Sequence, residues 1–327
     1  MMWHRKKTET FAIVVVLLAC WCFFHPLSPS LTPAWALEPV TVSYPGPSPF
    51  YIPVEVARRK GFFRDQNLDV RLIVTKSDVD RAALVTGDIN FTLRVSSTVL
   101  SAARGLPVRV LLVGTTKPFW ALVVRPEINS VKDLKGKVVG VGGTVGAHHL
   151  TTRVILRQHG LDPERDAVFT VVGVGARLPA LLSGAMDGGL LDYAEAFRAR
   201  KAGMKILLNA ADYHSILSAG LGANSKTLRE QSEQVRRFIK ANVDGLKAMR
   251  EEREFTLRAI MDWMKVDNET AEAIYQLSVD NFTKDGLADE ATLKALIDEQ
   301  LAEAKVKAVP VSEVFDFSLL RQVLQGR

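Results

Sequence analysis

A glycine-rich turn between a hydrophobic strand and a helix is the sequence feature with the clearest chemical potential. Residues 137–149 read KVVGVGGTVGAHH, which predicts a strand at 138–141 and a helix that begins at Thr144. The first N–H groups of a helix have no partners within the helix, so they attract anions and other strong acceptors. The predicted ligand contacts in this turn are Gly143, Thr144, Val145 and Gly146.

Further candidates follow predicted strands or open predicted helices, where the loops of an α/β sheet converge. Arg94 and Arg177 are cations whose planar guanidinium suits oxyanions, although each could instead form an internal salt bridge. Ser96 and Ser97 open a helix, where they could bind an acceptor or cap the helix. Asp192 could accept a hydrogen bond from a ligand or cap the following helix.

A histidine and several aromatic residues complete the candidate set. His148 and His149 point about 100° apart in the first helical turn, so we expect one of them to face the ligand, with His148 as the candidate and His149 as the alternative. Two histidines without further donors do not predict a metal site. Aromatic side chains in loops could stack on an organic ligand. The remaining candidates are Tyr44, Phe50, Tyr51, Thr116, Trp120, Tyr193 and Tyr213.

The composition is ordinary for a globular protein and argues against nucleic-acid binding. The chain has 327 residues, 47% of them hydrophobic and 24% charged, and a net charge of +6. Its basic residues are scattered and mixed with acidic ones, whereas nucleic-acid binding requires a one-sided basic surface. We therefore expect a small-molecule ligand.

The N-terminus predicts export. A basic start, an apolar run at 11–24 and the small-x-small sequence Ala34-Trp35-Ala36 indicate a signal peptide over 1–36 and a periplasmic location. The alternative is a lipoprotein anchored at Cys20, since LLAC at 17–20 resembles a lipobox. Both cysteines, Cys20 and Cys22, lie in this segment, so a mature chain that begins at Leu37 has neither a disulfide nor a cysteine nucleophile.

Strands alternate with helices from residue 40 to residue 221, which predicts mostly parallel α/β sheets. Beyond Ser225 the pattern is helical, with Ser225 and Asp289 as expected N-caps. Two stretches can be aligned at nearly constant spacing, which predicts two lobes of like topology. The aligned pairs are Gly61 with Gly160, Arg81 with Arg177 and Gly87 with Gly184.

The ordered set of motifs resembles the periplasmic substrate-binding proteins of ABC transporters, in the family that joins sulfonate, nitrate and taurine binders to thiamine-pyrimidine synthases. The resemblance implies a type II periplasmic-binding-protein fold, with two doubly wound lobes joined by crossing strands and a helical tail packed on lobe 1. After the predicted signal peptide (1–36), it implies lobe 1 (37–120 and 212–327) and lobe 2 (121–211). The segments that carry it are 54–63 (VEVARRKGFF), 82–89 (AALVTGDI), 102–108 (AARGLPV), 131–141 (VKDLKGKVVGV) and 177–184 (RLPALLSG).

The resemblance also implies the function. It predicts a monomeric, non-enzymatic binder without a cofactor, which captures a small organic anion between its lobes and delivers it to ABC permease subunits. One alternative is a thiamine-pyrimidine-synthesis enzyme, but the cysteine-rich motif of those synthases is absent from this sequence. Another alternative is a periplasmic sensor that does not import its ligand. No G-x-S-x-G, H-E-x-x-H or Walker A motif indicates another enzyme class.

Overall fold

The computed structural model describes residues 36–144 and 146–326. The predicted signal peptide, the alternative lipid-modified Cys20 and the candidate Val145 therefore lie outside the described residues. Glu38 begins one compact unit that contains all the elements below. Within the described residues, every helix is either too short or too polar to cross a bilayer.

The strands form two five-stranded mixed sheets. In chain order they are β1 (Glu38–Tyr44), β2 (Leu68–Val74), β3 (Phe91–Arg94), β4 (Val108–Thr115), β5 (Trp120–Val124), β6 (Lys137–Val141), β7 (Ala167–Val171), β8 (Gly188–Asp192), β9 (Lys205–Asn209) and β10 (Ala219–Asn224). The first sheet has the order β2-β1-β3-β10-β4, and the second has the order β7-β6-β8-β5-β9.

The two sheets have the same topology and exchange a strand. In the first, β1 is parallel to β2 and β3, and β10 runs antiparallel to β3 and β4. In the second, β6 is parallel to β7 and β8, and β5 runs antiparallel to β8 and β9. Since β5 follows β4 and β10 follows β9, the chain passes between the sheets twice. The lobe boundaries given above remain a prediction.

Helices connect the strands and make up the C-terminal third. They are α1 (Ile52–Lys60), α2 (Phe62–Asp65), α3 (Ser77–Thr86), α4 (Val95–Ala103), α5 (Ala147–Gln158), α6 (Arg177–Leu182), α7 (Tyr193–Lys201), α8 (Ser225–Glu230), α9 (Ser232–Glu251), α10 (Arg253–Met264), α11 (Asn268–Ser278), α12 (Glu290–Glu303), α13 (Val311–Val314) and α14 (Ser318–Gln325).

Two local predictions need correction. Helix α5 begins at Ala147 rather than Thr144, because Gly146 has φ 97° and ψ −179°, a conformation outside the helical region. The cap of α8 is Asn224, whose side chain accepts from the N–H of Lys226, and not Ser225.

The predicted N-cap Asp289 is confirmed. Its carboxylate accepts a 2.8 Å hydrogen bond from the backbone N–H of Thr292, in the first turn of α12. This bond satisfies one of the helix N–H groups that lack an intrahelical partner.

The helical tail packs on the first sheet, as predicted. Val235, Phe238 and Ile239 recur at helical spacing on α9 and are buried, and the Phe238 ring stacks on Phe91 of β3 with centroids 4.1 Å apart. The N–H of Thr283 also donates to the carbonyl of Gly114 in β4. The tail reaches α5 as well, through an ion pair of Glu303 with Arg153.

Close packing of α9 against α1 depends on Gly245. A Cβ at this position would lie 2.4 Å from the carbonyl oxygen of Pro53 and 2.8 Å from the Cβ of Ala57. We expect Gly245→Ala to lower the free energy of unfolding by about 1–3 kcal/mol in urea titrations, although alanine favours a helix. The exposed change Lys247→Ala in the same helix is the control. Equal stability of both variants would contradict this account of the packing.

Candidate functional site

A cavity of about 240 Å³ lies at the carboxyl ends of parallel strands from both sheets. Loops after β1, β3, β6, β7 and β8 contribute to its wall, which is the position where open α/β sheets bind ligands. The lining residues are Pro45, Ser48, Phe50, Tyr51, Ser77, Arg81, Arg94, Ser96, Ser97, Leu100, Ser101, Arg104, Trp120, Gly142, Gly146, Ala147, His148, Val174, Arg177, Asp192 and Ser218.

Most of the sequence candidates lie in this wall. Their role in binding remains a prediction, but the structure brings them together around one space. The candidates that line it are Phe50, Tyr51, Arg94, Ser96, Ser97, Trp120, Gly146, His148, Arg177 and Asp192.

Three tyrosines that were predicted as contacts are packed elsewhere. The ring of Tyr44 lies parallel to Trp263, with centroids 6.2 Å apart. Tyr193 is buried and donates a 2.8 Å hydrogen bond to Oδ1 of Asn209. Tyr213 packs beside the imidazole of His159. Aromatic residues at strand ends can face the protein core as readily as the cavity, and the sequence does not distinguish these directions.

Two further candidates, Thr144 and Gly143, do not line the cavity, because α5 begins later than predicted. Because the turn continues to Gly146, Thr144 borders a separate small cavity that Gln300 and Glu303 of α12 also line. Gly143 lies outside the wall too, next to the lining residue Gly142. Thr116 is likewise outside the wall, and its carbonyl accepts from the N–H of Ile216.

Arg177 is a buried cation that faces the cavity. Its side chain is 6% exposed, and Nε donates to the carbonyl of Val172 at 3.2 Å. Within the described residues, neither Nη has a hydrogen-bond partner and no carboxylate lies within 4 Å of the guanidinium. Burial lowers the pKa of Arg177, whereas the charges of Glu195 and Asp192 raise it. The internal salt bridge considered for this residue therefore does not form.

Arg94 has the internal partner that Arg177 lacks. Its Nε lies 3.8 Å from Oδ1 of the buried Asp80, and Nη2 donates to the carbonyl of Thr75. The same Asp80 oxygen accepts from the hydroxyl groups of Ser43 and Thr92. Arg94 therefore lines the cavity as a charge that Asp80 already balances.

Arg81 and Arg104 are cavity cations that the site prediction missed. Both are exposed, and neither side chain has an ion pair or hydrogen bond with another described residue. The available signal was the alignment of Arg81 with Arg177. The predicted candidates lie at strand ends and helix starts, whereas Arg81 lies within α3 and Arg104 lies just beyond α4. The other lining residues that were missed are Pro45, Ser48, Ser77, Leu100, Ser101, Gly142, Ala147, Val174 and Ser218.

Asp192 caps a helix and lines the cavity at once. Its Oδ1 accepts a 2.9 Å bond from the N–H of Glu195, and Ser48, from the loop after β1 of the first sheet, lines the same cavity. Burial raises the pKa of Asp192. Burial and the neighbouring Asp192 raise the pKa of Glu195 to about 7, and Oε2 of Glu195 is buried without a partner among the described residues. Near neutral pH this carboxyl pair is therefore not fully ionised.

His148 holds the glycine turn in place. Because a backbone N–H can only donate, Nδ1 accepts from Gly142 at 3.1 Å, and Nε2–H donates to the carbonyl of Leu190 at 2.8 Å. Burial, followed by the charge of Arg177, lowers the pKa of His148 well below its usual value, so the ring is neutral. Both ring nitrogens are occupied, and the ring can offer a ligand only its carbon edge and face.

The serines and aromatic side chains give the wall both polar and apolar parts. The Ser96 hydroxyl is buried without a partner among the described residues, whereas Ser97 donates back to the carbonyl of Arg94 at 3.1 Å. The Phe50 ring lies 5.2 Å from the Trp120 ring in an edge arrangement. Within the described residues, no three His, Cys, Asp or Glu side chains gather closely enough to hold a metal ion.

The raised pKa of Glu195 predicts a pH-dependent stability. The pKa of Glu195 is about 7 in the folded protein and about 4.3 in the unfolded chain. The contribution of this difference to the free energy of unfolding is therefore fully present below about pH 4.3 and is lost as pH rises through about 7. We expect Glu195→Gln to raise the free energy of unfolding at pH 8 by about 1–3 kcal/mol, with a smaller gain at pH 5. Urea titrations at both pH values measure the difference. The exposed Glu313→Gln is the control, and equal gains at both pH values would contradict the prediction.

Loss of the His148 bridge should destabilise the fold around the cavity. His148→Ala leaves the buried carbonyl of Leu190 without its donor, which we expect to cost about 1–3 kcal/mol in the free energy of unfolding. His149→Ala is the control, since that ring packs on Phe169 but bridges no strand. A smaller loss for His148→Ala than for His149→Ala would show that the bridge contributes little.

The chain is similar to a protein family, to curated proteins and to solved structures. Residues 48–254 match the family model described as NMT1/THI5 like. The chain is 28% identical over 148 residues to the 4-amino-5-hydroxymethyl-2-methylpyrimidine phosphate synthase of Schizosaccharomyces pombe, a match that covers 44% of this chain and 41% of the synthase. It is 25% identical over 262 residues to the riboflavin-binding protein RibY of Chloroflexus aurantiacus, which covers 74% of each chain.

Among solved structures, the periplasmic aliphatic sulphonate binding protein SsuA of Escherichia coli superposes with a TM-score of 0.69. The identity is 17%, and the superposition covers 87% of this chain and 99% of SsuA. At this identity the likeness establishes the fold, which is the type II periplasmic-binding-protein fold, as predicted. The matched family model covers more than half of the sequence, and the resemblance inferred from the motifs is confirmed: the chain belongs to the NMT1/THI5-like family.

Proposed function

We propose that this protein is an exported solute-binding protein that captures a small organic anion in the cavity and delivers it to an ABC permease. The observation that carries the proposal is the guanidinium of Arg177, which is buried, lines the cavity and has no carboxylate within ion-pairing distance among the described residues. A cation removed from water requires compensation, and a bound anion supplies it.

The charge of the cavity wall supports an anionic ligand. Arg94 is balanced by Asp80, but the arginines at positions 81, 104 and 177 still outnumber the carboxylate of Asp192, whose pKa burial raises. Cations that surround a space of low dielectric attract anions more strongly than the same cations in open water. A cation as ligand would leave this excess uncompensated.

The rest of the wall supports an organic ligand. Phe50, Tyr51 and Trp120 contribute aromatic surface, and Leu100 and Val174 add aliphatic surface. Ligand pockets commonly combine such apolar walls with a few polar groups that set orientation. Because loops from both sheets form the wall, closure of the two halves around the ligand is the expected motion.

Export and import rest on relatives and on the N-terminal sequence. SsuA is described as periplasmic and RibY as a riboflavin-binding protein, and neither description names an enzyme. We infer a periplasmic, monomeric binder whose partners are permease subunits in the membrane. Ligand uptake by cells that lack the cognate permease would contradict the import role and favour a sensor.

A pyrimidine-synthesis enzyme is the second candidate, because curated synthases share 28% identity with part of the chain. The match spans less than half of the synthase, so this sequence similarity does not by itself assign the synthase activity to this chain. Incubation with pyridoxal phosphate and iron, followed by a search for a pyrimidine product, distinguishes the two functions. Product formation above a protein-free control would overturn the binder assignment.

A thermal-shift panel of sulfonates, nitrate, pyrimidines, flavins and aromatic acids tests capture directly. We expect saturable binding of an organic anion, and a ligand at about one hundred times its Kd adds roughly 2.7 kcal/mol to the free energy of unfolding.

The substitution Gly142→Ala should weaken that binding about tenfold, since the new Cβ would lie 2.7 Å from Nη2 of Arg177 and displace it.

Gly173→Ala is the matched control. A Cβ at Gly173 would meet nothing within 4 Å. Unchanged affinity in Gly142→Ala would move the binding site away from Arg177, and a panel without any binding anion would refute the proposed capture.

A further inference from the structure

We propose that the ligand carries two separate anionic groups, one bound jointly by Arg177 and the N-terminus of α5 and the other bound by Arg81 and Arg104 at the cavity mouth. This inference rests on the proposed function and makes its ligand class specific. It predicts that dianions with the charges at opposite ends are preferred over monoanions of the same shape.

The inner anion site combines a buried guanidinium with a helix start. Arg177 is 6% exposed, and its Nη groups have no hydrogen-bond partner among the described residues. Gly146 and Ala147 open the 12-residue helix α5 and line the same cavity. The backbone N–H groups of a first helical turn lack intrahelical acceptors, so they can donate to the anion that Arg177 attracts.

The outer site consists of two exposed arginines that flank a serine-bearing helix face. Ser97 and Ser101 lie one helical turn apart on α4 and line the cavity with Arg104. Arg81 of α3 also borders the narrow gap between α3 and α4, together with Ser97 and Ser101. The side chains of Arg81 and Arg104 have no ion pair with another described residue, so two cations face the mouth uncompensated.

The two sites lie at different depths of one cavity. Arg177 is buried, whereas Arg81 and Arg104 are exposed, and Arg94 is already balanced by Asp80. Helix α4 rises roughly 12 Å between Ser96 and Arg104, so its lining face extends along the cavity. Leu100 lies on that face, which gives the middle of the ligand an apolar surface. A monoanion bound at Arg177 would leave the outer pair without a partner.

Calorimetric titration with paired aromatic probes tests this inference. The monoanions are benzoate and benzenesulfonate, and the dianions are terephthalate and 4-sulfobenzoate. We expect each dianion to bind at least about tenfold more tightly than its matched monoanion, because a hydrogen bond to a charged group contributes that much affinity. Arg81→Gln/Arg104→Gln should abolish the difference and change monoanion affinity less than about threefold. Arg177→Gln should weaken both classes.

The exposed pair Arg229→Gln/Arg321→Gln is the charge-matched control, and circular dichroism verifies the fold of each variant. Equal affinity of mono- and dianions for the unchanged protein would overturn the two-site inference and leave anion capture standing. Equal losses of both classes in Arg81→Gln/Arg104→Gln would also overturn it, since the outer pair would then act only as a general field. Absence of binding by either class at millimolar concentration would refute anion capture itself.

Discussion

The buried guanidinium of Arg177 is the constraint on which the candidate site depends. Removing such a cation from water costs several kcal/mol unless other groups replace its hydration. The carbonyl of Val172 replaces part of it, and although burial lowers the pKa of Arg177, the carboxyls of Glu195 and Asp192 supply a field that opposes this lowering. Burial raises the pKa of both carboxyls in turn, so their compensation is incomplete. The cavity therefore keeps a positive potential that an anionic ligand can satisfy.

Beside this charge, His148 connects two elements of the second sheet. Its ring accepts from the turn at Gly142 and donates to Leu190 in β8. The turn can then remain outside the helix until Gly146, whose backbone conformation favours glycine. The consequence is that the start of α5, the glycine turn and the end of β8 keep fixed positions around Arg177. His148, which was predicted as a ligand contact, thus acts through the backbone groups of Gly142 and Leu190 that it joins.

Exchange of strands between the sheets explains why a single cavity collects loops from both. Strand β5 joins the second sheet directly after β4, and β10 returns to the first sheet directly after β9. The parallel strands of both sheets end at the cavity, so Ser48 from one half and Asp192 from the other line the same space. A shared wall of this kind couples ligand capture to the relative position of the two halves.

The sequence by itself determined the features that local patterns control. Alternating strands and helices, the glycines that end helices, the cap at Asp289 and the family motifs all depend on neighbouring residues, and they predicted the fold class. The rule that ligands lie beyond strand ends also selected Ser96 and Arg177, which line the cavity. The predicted start of α5 was less accurate, because the backbone conformation of Gly146 moves the first helical residue from Thr144 to Ala147.

Only the tertiary structure decided which side chains face the cavity and which charges remain unpaired. Arg94 is balanced because Asp80 approaches it from another element, whereas Arg177 has no such neighbour, and nothing near either arginine in sequence reveals the difference. Arg81 and Arg104 reach the cavity through the orientation of α3 and α4, while Tyr193 turns into the core. Side-chain direction and ion pairing depend on contacts between residues that are distant in sequence, so a local pattern does not contain them.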